Sequence, residues 1–146
     1  MRCCAIAEEL IDRGQKTVFV GETKNLLWVQ ERVSSLGFSE MHDEPENFNS
    51  DPKLDVLILD SYEINPDNDF INSANWRCVV AIVDDATPPF RADLCIHPGP
   101  GTAWLPPTWE REARFISGIE YIPIRKSIRD PSSRHQPAIK AIPKIL

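Results

Sequence analysis

Several signatures are missing from this sequence, and each absence removes a class of protein. There is no Cys-x-x-Cys pair, no phosphate loop of the GxxxxGK[ST] type, and no apolar run near the ~20 residues of a membrane-spanning helix. The four cysteines stand as Cys3-Cys4, Cys78 and Cys95. That spacing offers no metal-ligand set and suits buried, neutral thiols in a reducing compartment. Lack of the phosphate loop argues against a phosphoryl-transfer ATPase. Positive charge is also in short supply. A net charge of -6 argues against nucleic acid as a partner, because phosphate binding needs a basic stripe. Basic residues collect only late, from Arg125 to Lys144. Internal repeats and low-complexity tracts are absent, and Met1-Arg2-Cys3 opens no secretory h-region, so a cytoplasmic setting is expected.

What is present describes an ordinary globular chain. Its 146 residues are 42% hydrophobic and 26% charged, enough for one domain that buries roughly 70% of its unfolded surface. Thirteen prolines, most of them after Thr87, make the second half rich in loops.

The most informative stretch is Leu54-Asp55-Val56-Leu57-Ile58-Leu59-Asp60-Ser61-Tyr62. A short, nearly continuous apolar run without helical spacing predicts a strand covered on both faces. Arg77 to Val83 predicts a second such strand, ending at Asp84-Asp85. Thr17 to Val20 and Asp93 to His97 predict two more, Phe38 to His42 a weak one, and Gly118 to Ile124 an extended segment. Helices are expected over 1–13, with Cys3, Ile6, Ala7, Leu10 and Ile11 on one face, over 25–36, and over 66–76. Alternating elements of this kind give an α/β fold with a Rossmann-like, mainly parallel sheet. The strands near 17–20, 55–60, 78–83 and 93–97 should share one sheet, with the 1–13 helix packed on it. Both ends read as interrupted: no strand precedes the first helix, and the apolar run 141–146 stops without a partner.

In open parallel sheets ligands bind beyond the carboxyl ends of the strands. Asp60, Ser61, Tyr62, Asp84, Asp85 and His97 all fall at such ends and are the candidate ligand contacts. The competing reading is structural: the carboxylates would cap nearby amides, and His97 and Tyr62 would pack. No ordered Ser-His-Asp set and no carboxylate pair of defined spacing is legible.

Four stretches resemble one family. Met1 to Leu10 (MRCCAIAEEL) is similar to the "MRCLALAEAL" helix of the PseG/SpsG-type proteins, the UDP-sugar hydrolases of pseudaminic acid biosynthesis and their spore-coat polysaccharide relatives. Val56 to Tyr62 resembles that family's "LLIIDHYGL", Val83-Asp84-Asp85 with Arg91 to Leu94 its "IDD…..ADLLLN", and Gly118 to Arg125 its "GPEYALLR". The resemblance implies the N-terminal lobe of a GT-B-type fold over residues 1–128, lacking its first strand, with 129–146 leading into a second lobe. It implies a UDP-sugar substrate, release of UDP by attack of water, no cofactor, and Arg125 as a further substrate contact. The family's GxGHxxR loop is represented here only by Arg2, and the His of its DHY motif is replaced by Ser61. No catalytic residue is therefore assigned, and the chain as it stands is expected to be inactive. Two other readings remain open: a non-catalytic module binding a sugar nucleotide or a partner chain, and a lobe of a GT-B glycosyltransferase.

Overall fold

The computed structural model describes residues 2–23, 26–45, 48–65, 67–84, 91–99 and 114–130. Its frame rests on the apolar runs that are most costly to leave in water. Val56–Leu59 (β3) and Cys78–Ile82 (β4) pair in parallel, with Leu57 beside Val79 and Leu59 beside Ala81. Leu94–His97 (β5) joins β4, and Arg114–Ser117 (β6) joins β5, both in parallel. The result is a four-stranded parallel sheet in the order β3-β4-β5-β6. This is the α/β, Rossmann-like architecture expected from the alternation of elements.

The core lies where the strands meet. Val79, Ala81, Ile82, Val83 and Cys95 have no exposed surface at all. Leu57, Leu59, Ile71 and Trp76 complete the cluster. The Trp76 ring stacks on Phe48 at 5.9 Å, meets Phe70 edge-on at 5.2 Å, and donates its Nε1–H to the Phe70 carbonyl. That last bond satisfies the only polar atom of a large buried ring.

Two expected elements differ from this arrangement. In place of one helix over 66–76 there are two 3₁₀ turns, Asp69–Ile71 and Ser73–Asn75. The side chains of Asn68 and Asn72 accept from the amides of Phe70 and Ala74, and such local bonds compete with continuous α-helix. The extended segment expected at 118–124 is also displaced. The strand is β6, which ends at Ser117. Gly118 then adopts φ 143°, and Ile119–Tyr121 forms a 3₁₀ turn. That positive φ is one that side-chain-bearing residues rarely adopt, so glycine is what allows the chain to leave the sheet there.

Helix α1 (Arg2–Asp12) buries Cys4, Ala5 and Ala7. Gly14, at φ 75°, donates its amide to the Ile11 carbonyl, while Gln15 donates to Leu10, and these bonds end the helix. In its first turn, the Cys3 thiol meets the Ile58 carbonyl at 3.9 Å. Beyond its end, Lys16 pairs with Glu40 at 2.9 Å. Val18–Val20 (β1) pairs with Glu40–His42 (β2), again in parallel.

This corrects the expected single sheet. β1 and β2 form a two-stranded sheet of their own, with no ladder to the other four strands. Between them runs α2 (Leu27–Ser35), which buries Val33 and reaches α1 through an Arg32–Glu8 ion pair. α3 (Lys126–Arg129) lies against α1. Lys126 pairs with Asp12 at 2.6 Å and Arg129 with Glu9 at 2.9 Å. Among the described residues no helix is long and apolar enough to cross a membrane. Residues 131–146, with the expected apolar segment 141–146, lie outside them.

Candidate functional site

Parallel strands deliver their last residues to one edge. Asp60 follows β3, Asp84 comes two residues after β4, and Arg2 opens α1 at the same edge. Arg2 closes the group. Its Nε lies 3.2 Å from both Asp60 oxygens, and its Nη2 donates to Asp60 Oδ1 at 2.5 Å. Nη1 reaches Asp84 Oδ2 at 3.3 Å, and Nη2 also reaches the Tyr62 hydroxyl at 3.1 Å. Tyr62 donates that hydroxyl to Asp84 Oδ2 at 2.5 Å. A planar guanidinium with five donors is the side chain suited to bridge two carboxylates in this way.

The electrostatics follow from the pairing. The hydrogen bond that Arg2 donates to Asp60 is the main cause that holds Arg2 more firmly protonated than usual. The Asp84 carboxylate, accepting the phenolic proton, pushes Tyr62 above its ordinary value of 10.0. Burial, reinforced by Asp60, pushes the neighbouring Cys3 thiol up to about 12. Among these groups one cation faces two carboxylates. Asp60 has only 10% of its side chain exposed, whereas Tyr62 is 51% exposed and presents its ring to solvent.

The remaining candidates divide. Ser61 turns the chain: its Oγ accepts from the amides of Glu63 and Ile64 at 3.2 Å each, which sets the loop carrying Tyr62. His97 ends β5 and is buried, with its Nδ1 3.5 Å from Ser117 Oγ. A Cβ on Gly99 would stand 2.4 Å from His97 Cε1, so the backbone lies directly against the ring. Arg125 sits outside the cluster's hydrogen bonds, at the start of α3, where its charge acts on the Cys4 thiol of α1. Asp85 lies outside the described residues. Asp84 accepts from Arg2 and Tyr62.

Arg2 was not among the candidate contacts. Its one sequence signal is its place in the resemblance, where it matches the arginine of the GxGHxxR pattern. Its main partner is 58 positions away. Among the described residues no group of three or more His, Cys, Asp or Glu side chains is placed to hold a metal ion. An open polar groove lined by Phe48, Asn49, Asp67, Asn68 and Phe70 shares no residue with the cluster.

Comparison with protein-family models, with curated proteins and with solved structures finds no match to this chain. Fold and rim define its class: a Rossmann-like α/β unit whose strand-end carboxylates are gathered by an arginine borne on a helix.

Proposed function

We propose that this chain is the N-terminal lobe of a nucleotide-sugar hydrolase of the PseG/SpsG type, and that the Arg2–Asp60–Tyr62–Asp84 cluster receives the sugar. The observation that carries the reading is Tyr62. Its ring is half exposed at the carboxyl edge of a parallel sheet, while its hydroxyl is held by Arg2 and Asp84. An aromatic face beside fixed carboxylate acceptors suits a pyranose ring with its hydroxyl and amide hydrogens. Carboxylate acceptors suit that neutral part of a nucleotide sugar better than its diphosphate, which belongs where positive charge is in excess.

Binding without turnover is the second reading, and the same ion pairs support it. Arg2 neutralises Asp60 and shares Asp84 with the Tyr62 hydroxyl. A general base must be able to reach and take a proton from water, and Arg2 already occupies both oxygens of Asp60. The 146-residue chain is therefore expected to bind a UDP-sugar and to release no UDP. Calorimetric titration with UDP-N-acetylglucosamine and with a UDP-diacetamido-trideoxyhexose tests this. Tyr62→Ala should weaken binding by ~1–3 kcal/mol. Unchanged affinity in a folded variant would remove Tyr62 from the site. Steady UDP release by the purified chain would decide against the binding-only reading, and a product that appears only with an added sugar acceptor would favour a glycosyltransferase lobe.

A further inference from the structure

The polar groove that lies apart from the Arg2–Asp60 cluster has two walls. One comes from 45–50, ahead of β3, and the other from 67–75, between β3 and β4. Contacts through the core tie them together. Ser50 donates its hydroxyl to the Asn75 carbonyl at 2.7 Å. Phe48 of the first wall stacks on Trp76, and Phe70 of the second meets the same ring edge-on. Phe48 and Phe70 are half-buried, so each also gives ring surface to the groove. Because Trp76 belongs to the core cluster, this aromatic floor is in place before any ligand arrives.

The polar groups are held as well. Asn68 Oδ1 accepts from the Phe70 amide at 2.8 Å, which leaves its Nδ2 as a donor. Asn75 is fixed the other way round: its Nδ2 donates to the Asp69 carbonyl at 2.8 Å, which leaves Oδ1 as an acceptor. Asn49, Asp67 and Asp69 also line the groove, and their side chains form no hydrogen bond or ion pair with another described residue. This set selects against most ligand classes. Two carboxylates, with no cation among the described lining residues, repel phosphates and other anions. An apolar ligand would strip water from carboxylates and carboxamides without replacing its hydrogen bonds. Among the described residues no group of three or more His, Cys, Asp or Glu side chains is placed to hold a metal ion.

We propose that this groove is a binding site for an uncharged saccharide, separate from the strand-end cluster and independent of what that cluster binds. A sugar ring meets each requirement of the lining. Its hydroxyls donate to the two carboxylates and to Asn75 Oδ1, and accept from Asn68 Nδ2. Its C–H face lies against a phenyl ring of the floor. The groove has a volume of about 610 Å³, inside the roughly 300–1,000 Å³ of small-molecule sites. Donors and acceptors already fixed by the fold reduce the ordering that binding would otherwise cost.

The test is two-dimensional amide NMR of the 146-residue chain, titrated with cellobiose, maltose and N,N′-diacetylchitobiose, with spermidine as a cationic control. At least one disaccharide should shift the amides of Asn49, Asn68, Phe70 and Asn75 saturably, with a Kd of ~10 mM or below. Added salt should leave that affinity unchanged, because the ligand is uncharged. Asp67→Ala combined with Asp69→Ala should raise the Kd about tenfold or more, and the isosteric pair Asp67→Asn with Asp69→Asn, which keeps acceptors, should raise it less. Both residues are exposed, so the amides of Val79 and Cys95 should stay in place in each variant and report that it is folded. Absence of a saturable shift with all three sugars would overturn the proposal. So would shifts confined to Asp60 and Tyr62 that Tyr62→Ala removes, which would leave the reading of the strand-end cluster intact. Saturable binding of spermidine alone, abolished by salt and by both pairs of substitutions, would assign the groove to an organic cation and equally overturn the proposal.

Discussion

Val-Phe-Val in β1 and Val-Leu-Ile-Leu in β3 are locally the same kind of sequence, yet they sit in halves of the molecule held together by different forces. The half built on β3 to β6 is an apolar core: among the described residues five side chains there have no exposed surface, and Trp76 packs against the cluster. The half built on α1, β1, α2 and β2 has one such side chain among the described residues, Val33, and is tied by ion pairs: Arg32–Glu8, Lys16–Glu40, and the two that fasten α3 to α1. The contrast shows that β-propensity makes a strand possible, while neighbours on both edges and both faces make it stable. Strands with one ladder and half-buried side chains contribute little of the burial term that dominates folding.

The largest effect should come from the core. Ile82→Ala, at a site with no exposed surface, is expected to cost ~2–5 kcal/mol through lost burial and the cavity left behind. Val20→Ala, in the half-buried strand, should cost under about 1 kcal/mol. Equilibrium urea unfolding measures both, and similar losses at the two sites would break the comparison.

A smaller effect sharpens the electrostatic side of the contrast. The chain has two tyrosines, which simplifies a spectrophotometric titration. Tyr62 should ionise above the ordinary value of 10.0, because its phenolic proton is held by the Asp84 carboxylate. A group with a raised folded-state value contributes its stabilisation in full below the unfolded value, and that contribution is lost as pH rises through the folded one. The Tyr62–Asp84 bond should accordingly be intact at neutral pH and disappear only above about pH 10. Asp84→Asn should move the later transition down toward the ordinary range, and Tyr62→Phe should abolish it. A late transition that survives Tyr62→Phe would assign the shift to another group.

Smallest of all is the contribution of α3. Lys126, Arg129 and Glu9 are solvent-exposed, and Ile128 of the same helix is 50% exposed. Ion pairs of this kind are screened by salt. At 1 M salt, or in Arg129→Ala, amide exchange at Arg129 and Asp130 should accelerate while Val79 stays as slow as before. Accelerated exchange at Val79, or no change at Asp130, would contradict the view that exposed ion pairs help to hold α3 on α1.

The sequence was most legible where burial is strongest. β3 and β4 follow from apolar runs of four and five residues, since a strand covered on both faces leaves no polar position in the pattern, and β5 from a run of three that ends at His97. β1 and β2 were legible as strands but not in their pairing, because three residues of the right type carry no record of which edge is occupied. The 66–76 segment misled because its proline and early acids are good helix-start signals, whereas the outcome turned on Asn68 and Asn72 bonding their own backbone. β6 went unread because Gly118 and Pro123 drew the extended segment forward, when the pairing of Arg114–Ser117 with β5 lay upstream.

The sequence by itself determined the class of fold and the edge where chemistry gathers: apolar runs that end in Asp60, Asp84 and His97 place polar groups at the carboxyl ends of parallel strands. The tertiary structure alone decided which of them meet. Arg2 reaches Asp60 across 58 positions and Asp84 across 82, Ser61 turns to its own loop, and His97 is packed against Gly99. Local patterns encode burial, because burial repeats with the period of the strand. Convergence of single side chains depends on how α1 lies across the sheet, and that is settled only when the helix and the strands pack together.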